Sequence, residues 1–195
     1  YFLAIMGTRR AITYLQQQPE VAPTKIGLVG CSMGGRITFC TGAIDKRVVA
    51  SAPSVLAGFW NSGPILPEAD APLIEKILGS RASIPYVNHA VLFQSPSNDT
   101  VMPIERLQMA CEKLPTKTYA FTHASRISHR SIPEFYITPV LWFDHHLKGT
   151  FTVPSTPSVS IDVSGDKTFV SVFPDEVPQT SLLREFIGGS AYDLH

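Results

Sequence analysis

Gly30-Cys31-Ser32-Met33-Gly34 is a G-x-S-x-G run, and its flanks decide how the chain is read. Upstream, Lys25-Ile26-Gly27-Leu28-Val29 is a short apolar stretch preceded by Pro19 and Pro23, the pattern of a buried strand. Downstream, Gly35-Arg36-Ile37-Thr38-Phe39-Cys40 carries apolar residues at helical spacing. A strand, a sharp turn and a helix lift the Ser32 hydroxyl out at the top of a sheet. The serine of such a turn is strained, and a Cβ at Gly30 or Gly34 is expected to crowd neighbouring elements. The bland alternative is a glycine-rich turn with an incidental serine. Strand and helix on the correct sides favour a nucleophile.

Outward from the turn, strands and helices alternate. Phe2–Gln18 reads as an amphipathic helix with Ile5, Ile12 and Leu15 among its apolar positions. After the helix over Gly35–Ala43, residues 48–53 read as a second strand, His89–Gln94 as a third and Thr118–Thr122 as a fourth. A helix is expected over Ile104–Leu114, and another over Glu134–Leu147 ended by Lys148-Gly149. Residues 57–83 are irregular, with a helix expected around Leu73–Leu78, where a lid would sit. This alternation predicts an α/β fold, a parallel sheet covered on both faces. Residues 1–149 are read as the catalytic portion, 150–157 as a Thr/Ser/Pro linker, and 158–195 as a small β-rich module. That module opens with a hairpin over Ser158–Phe173 turning at Gly165-Asp166.

Composition removes several function classes. Sixteen basic residues balance 16 acidic ones across 195 residues, so nothing favours nucleic acid. No apolar run reaches transmembrane length. Cys31, Cys40 and Cys111 are an odd number without metal spacing, so buried free thiols are expected, with Cys31 a packing residue. The histidines lack ligand spacing with cysteines or carboxylates, so no metal or cofactor is called for.

A serine hydroxyl needs a base, and the base needs an orienting carboxylate. In the strand–turn–helix architecture these follow the serine in the order acid, histidine. Asp99 stands in the polar loop after the third strand, although an Asx-turn residue would look the same. Behind the fourth strand come His123 and His129. His123 lies at the strand's own end, whereas His129 sits in the loop before the last helix, where it can swing back to Ser32; His129 is preferred. His145 and His146 read as solvated or capping residues of the closing helix.

Three stretches together resemble the α/β-hydrolase superfamily, most of all bacterial acetyl xylan esterases and dienelactone hydrolase-like proteins. They are Gly30-Cys31-Ser32-Met33-Gly34-Gly35-Arg36, Val91-Leu92-Phe93 leading to Asn98-Asp99, and Ser128-His129-Arg130. The Trp142-to-Gly149 ending is similar to the last helix of these esterases and of prolyl-oligopeptidase-like peptidases. The resemblance implies Ser32 as nucleophile, Asp99 as acid, His129 as base and the Met33 N–H as one oxyanion donor. It implies a small-molecule or carbohydrate ester as substrate, of acetyl-ester type. It also implies several strands before the turn, where here one helix precedes it, so these residues are expected to form the C-terminal portion of such a domain. The second oxyanion donor would then lie outside them. A peptidase of the prolyl-oligopeptidase type and a non-catalytic binding protein of the same fold are the alternatives.

Overall fold

The computed structural model describes residues 1–56, 76–77, 79–99, 101, 103–124, 129 and 132–173. Helix α1 (Phe2–Leu15) leads to β1 (Ile26–Cys31), α2 (Met33–Ile44) and β2 (Val48–Ser54). A helical turn, α3 (Ser80–Ser83), runs into a 3-10 turn (Ile84–Tyr86) and then β3 (Ala90–Pro96), α4 (Ile104–Glu112) and β4 (Tyr119–Ala124). The last helix, α5 (Glu134–Phe143), continues through a π-helical turn (Asp144–Lys148), where one regular helix was expected. Gly149 closes it in the left-handed conformation, φ +71. Of the helix expected around Leu73–Leu78, only Lys76 and Ile77 lie within the described residues, and both are helical.

Strands β1 to β4 form one parallel sheet in the order β1-β2-β3-β4. Position in that order sets burial. Strands β2 and β3 lie inside and are buried nearly throughout, as their continuous apolar runs require. Among the described residues β1 is the outer strand next to β2, and there Val29 is 63% exposed.

The period of two along β3 divides the core. Val91 and Phe93 join Phe39 and Cys40 of α2 and Leu107, Ala110 and Cys111 of α4 on one face. Ala90 and Leu92 meet Trp142 on the other, with Phe143 and Leu147 packed beside them. Phe93 stands between Phe39 and Phe121, with ring centroids 6.0 and 5.7 Å away, within the favourable range for aromatic pairs. Gly27 lets α5 come close, since an added Cβ would stand 2.7 Å from the Phe143 ring. Helix α1 docks through Ile5 and Ile12, while Leu15 is exposed. Leu15 sits in the last turn, rotated by about 60° from Ile12. Asp45 accepts from Arg9 of α1 and from Arg47, and the Arg47 guanidinium holds the Asp45 carboxyl down to about 2.

His89 is buried at the amino end of β3. Its Nε2 lies 2.8 Å from Ser51 Oγ, and a Cβ added at Gly42 would stand 2.6 Å from that nitrogen. Burial pushes its imidazole from the ordinary 6.5 down to about 4, so the folded chain holds it neutral. Below the ordinary value the unfolded chain binds a proton that the folded chain refuses, so stability falls with pH across this window and levels off beneath it. The loss approaches about 3 kcal/mol. The urea midpoint should therefore drop more between about pH 7 and about pH 4 in the unmutated protein than in His89→Gln. Equal drops would exclude His89 as the source.

After residue 150 the expected hairpin is present. Strands β5 (Ser158–Ser164) and β6 (Lys167–Phe173) pair antiparallel across a two-residue turn in which Gly165 has φ +63, a value glycine adopts without strain. Among the described residues, no helix is long and apolar enough to cross a membrane.

Candidate active site

The turn between β1 and α2 puts Ser32 at φ +53, ψ −112, a region that costs a non-glycine residue free energy. The Ser32 N–H donates to the Ser54 carbonyl at 2.9 Å, tying the turn to the end of β2. Gly30 is required here, because a Cβ would meet the Gly34 carbonyl and, at 2.6 Å, Thr38 Oγ1. Gly34 does not behave as expected, since a Cβ there would meet nothing within 4 Å. The close approach belongs to Gly35, whose Cβ would stand 2.8 Å from the Ser54 carbonyl oxygen. Spacing alone could not say which of two adjacent glycines faces β2. Among the described residues Cys31, read as a packing residue, is exposed at the end of β1, whereas Cys40 and Cys111 are buried. Burial, helped by Glu112, pushes the Cys111 thiol up to about 12.

Ser32, Asp99 and His129 are brought together. Ser32 Oγ lies 2.6 Å from His129 Nε2, and His129 Nδ1 lies 2.8 and 3.1 Å from the two Asp99 carboxylate oxygens. The Asp99 side chain is fully buried, and that of His129 is 21% exposed. The Val101 N–H donates to Asp99 Oδ1 at 2.8 Å, fixing the carboxylate from behind. An ionised carboxylate only accepts, so the proton between the pair belongs to Nδ1, and Nε2 is left to accept from the Ser32 hydroxyl. Polarity therefore runs one way along the row, from serine to imidazole to carboxylate.

Topology explains why residues so distant in sequence meet. Ser32 follows β1, Asp99 follows β3 and His129 follows β4, all at the carboxyl ends of parallel strands, where loops of such sheets converge. Met33 opens α2, so its N–H lies in the first turn of that helix, at the positive end of the helix dipole.

Among the described residues, the other histidines are held elsewhere. His123 Nδ1 lies 3.2 Å from the Ser95 carbonyl, and its ring stacks on Phe121 at 5.4 Å. His145 Nδ1 lies 2.7 Å from the Phe151 carbonyl. His146 packs on Trp142 at 4.1 Å, and burial, with His145 beside it, lowers its imidazole. Among the described residues, no group of three or more His, Cys, Asp or Glu side chains could hold a metal ion. One residue of the site's surroundings had no signal in the sequence. Val55, directly after β2, has φ +41, and nothing in Ser54-Val55-Leu56 announces it.

A parallel sheet whose strand ends gather a serine on a strained strand–helix turn, an imidazole and a buried carboxylate is an α/β-hydrolase fold. Residues 9–111 match the family described as BAAT / acyl-CoA thioester hydrolase C terminal, and the chain belongs to that family. The matched stretch includes Ser32 and Asp99 and stops short of His129. No curated protein matches the chain. Among solved structures, it is similar to the acetyl xylan esterase from Paenibacillus sp. R4, at 15% identity and TM-score 0.60 over 73% of this chain and 52% of that one. Acetyl xylan esterase 1 from Thermoanaerobacterium sp. JW/SL YS485 is similar at 14% identity and TM-score 0.57, over 71% and 51%. Porphyromonas gingivalis dipeptidyl peptidase 4 is similar at 16% identity and TM-score 0.60, over 74% of this chain and 23% of that one. The chain thus spans about half the length of the two acetyl xylan esterases.

Proposed function

We propose that the chain carries the nucleophile, base and acid of a serine hydrolase that cleaves carboxylic esters or thioesters through an acyl-enzyme. The observation that supports this reading is the hydrogen-bonded row Ser32–His129–Asp99. Ser32 Oγ attacks the acyl carbonyl as its proton passes to His129 Nε2. Asp99 holds the imidazole in the tautomer that can take that proton and stabilises the imidazolium formed. The Met33 N–H donates to the developing oxyanion. His129 returns the proton to the departing alcohol or thiol, and water then releases the acid by the same steps in reverse. The acetyl xylan esterases suggest a short acyl group on oxygen, and the family description suggests one on sulfur. Both chemistries need only this row and a donor for the oxyanion.

Substrates assayed side by side test the reading. p-Nitrophenyl acetate and an acyl-CoA thioester should be turned over, and an aminoacyl p-nitroanilide should not. Preference for the anilide would replace the esterase reading with a peptidase one. Absence of turnover together with absence of fluorophosphonate labelling at Ser32 would make this a binding protein.

A further inference from the structure

Among the described residues, Val55 is the only non-glycine residue besides Ser32 with a positive φ, at +41. For a β-branched side chain that is a genuine outlier, and it persists only where the surroundings over-determine it. A relaxed core valine would bury the same surface without the strain, so the place of the strain asks for a reason.

That place is where the row of three has to cross. Strand β2 separates β1, which delivers Ser32, from β3 and β4, which deliver Asp99 and His129. Val55 stands at the carboxyl end of β2 and is fully buried. Its N–H donates to the Gln94 carbonyl of β3 at 2.7 Å. Its side chain packs with Ile132, three residues beyond His129, and with Phe135, while Ala124 of β4 packs against the same cluster. The carbonyl of the preceding residue, Ser54, is the one that anchors the Ser32 N–H. The Ala124 carbonyl in turn accepts from Ser97 N–H at 2.9 Å, two residues before Asp99. One strained residue thus touches, directly or through one neighbour, each of the three loops.

We propose that Val55 is a positioning residue, a wedge over the end of β2 that sets the separation between the His129 loop and the Ser32 turn. The inference rests on the serine-hydrolase reading above. It acts through other residues, so it governs how often the row is aligned and leaves substrate binding untouched.

The test uses a fluorophosphonate probe on the full chain, separating the maximal labelling rate from the apparent affinity for the probe. Val55→Ala removes the branched shape and should lower the maximal rate by about tenfold with affinity unchanged, since sub-ångström misplacement of reacting groups is costly. Val55→Thr keeps the shape but buries a hydroxyl. It should melt at a lower temperature yet label within about twofold of the unmutated rate, a split that a purely structural role does not produce. Labelling of Val55→Ala at the unmutated rate overturns the proposal, as does Val55→Thr slowing as much as Val55→Ala. Failure of the unmutated protein to label at Ser32 overturns the site reading itself, and this inference with it.

Discussion

Replacing Ser32 with Ala is expected to abolish p-nitrophenyl acetate turnover, lowering kcat by about a millionfold, the scale seen when the nucleophile of such a row is lost. The substitution removes one oxygen and leaves the rest of the turn in place. Alanine inherits the φ of +53 with a Cβ already accommodated there, and the Ser32 N–H to Ser54 bond belongs to the backbone. The melting temperature should therefore stay close to that of the unmutated protein, so lost turnover cannot be ascribed to unfolding. Turnover within a few-fold of the unmutated protein would sink the assignment of Ser32.

Replacing His129 with Ala should be nearly as damaging, because its Nε2 is the acceptor 2.6 Å from Ser32 Oγ and its loss leaves the hydroxyl without a base. The Asp99 carboxylate, fully buried, would also be stripped of its imidazole partner, so some loss of stability is expected as well. His123→Ala is the informative partner experiment. That ring is engaged by Phe121 and the Ser95 carbonyl, and its removal should leave kcat within a few-fold. The reverse ranking of the two variants would show that the base had been misassigned.

Local sequence carried the strand–turn–helix around Ser32, because glycine spacing and apolar period are properties of adjacent residues. The order Ser32, Asp99, His129 was legible for a related reason: a parallel sheet sends successive loops to one end, so a chain order of strands becomes a spatial cluster. Burial was less legible. The runs in β1 and β3 look alike in composition, yet among the described residues Val29 is exposed and Val91 is not, because there β3 has a strand on each side and β1 on one. The same ignorance of neighbours assigned the close approach to Gly34, where Gly35 makes it. Val55 was beyond reach altogether. Its residue type argues against the conformation it adopts, and only contacts made from Gln94, Ile132 and Phe135, all distant in sequence, hold it there.

The backbone at Ser32 has a consequence for how such a chain can drift over generations. A glycine at that position would sit at φ +53 without strain but would loosen the unfolded chain, and on the serine-hydrolase reading it would remove the nucleophile. On that reading the strained backbone carries the reactive group, so relaxing the turn and losing the reaction would be one and the same step.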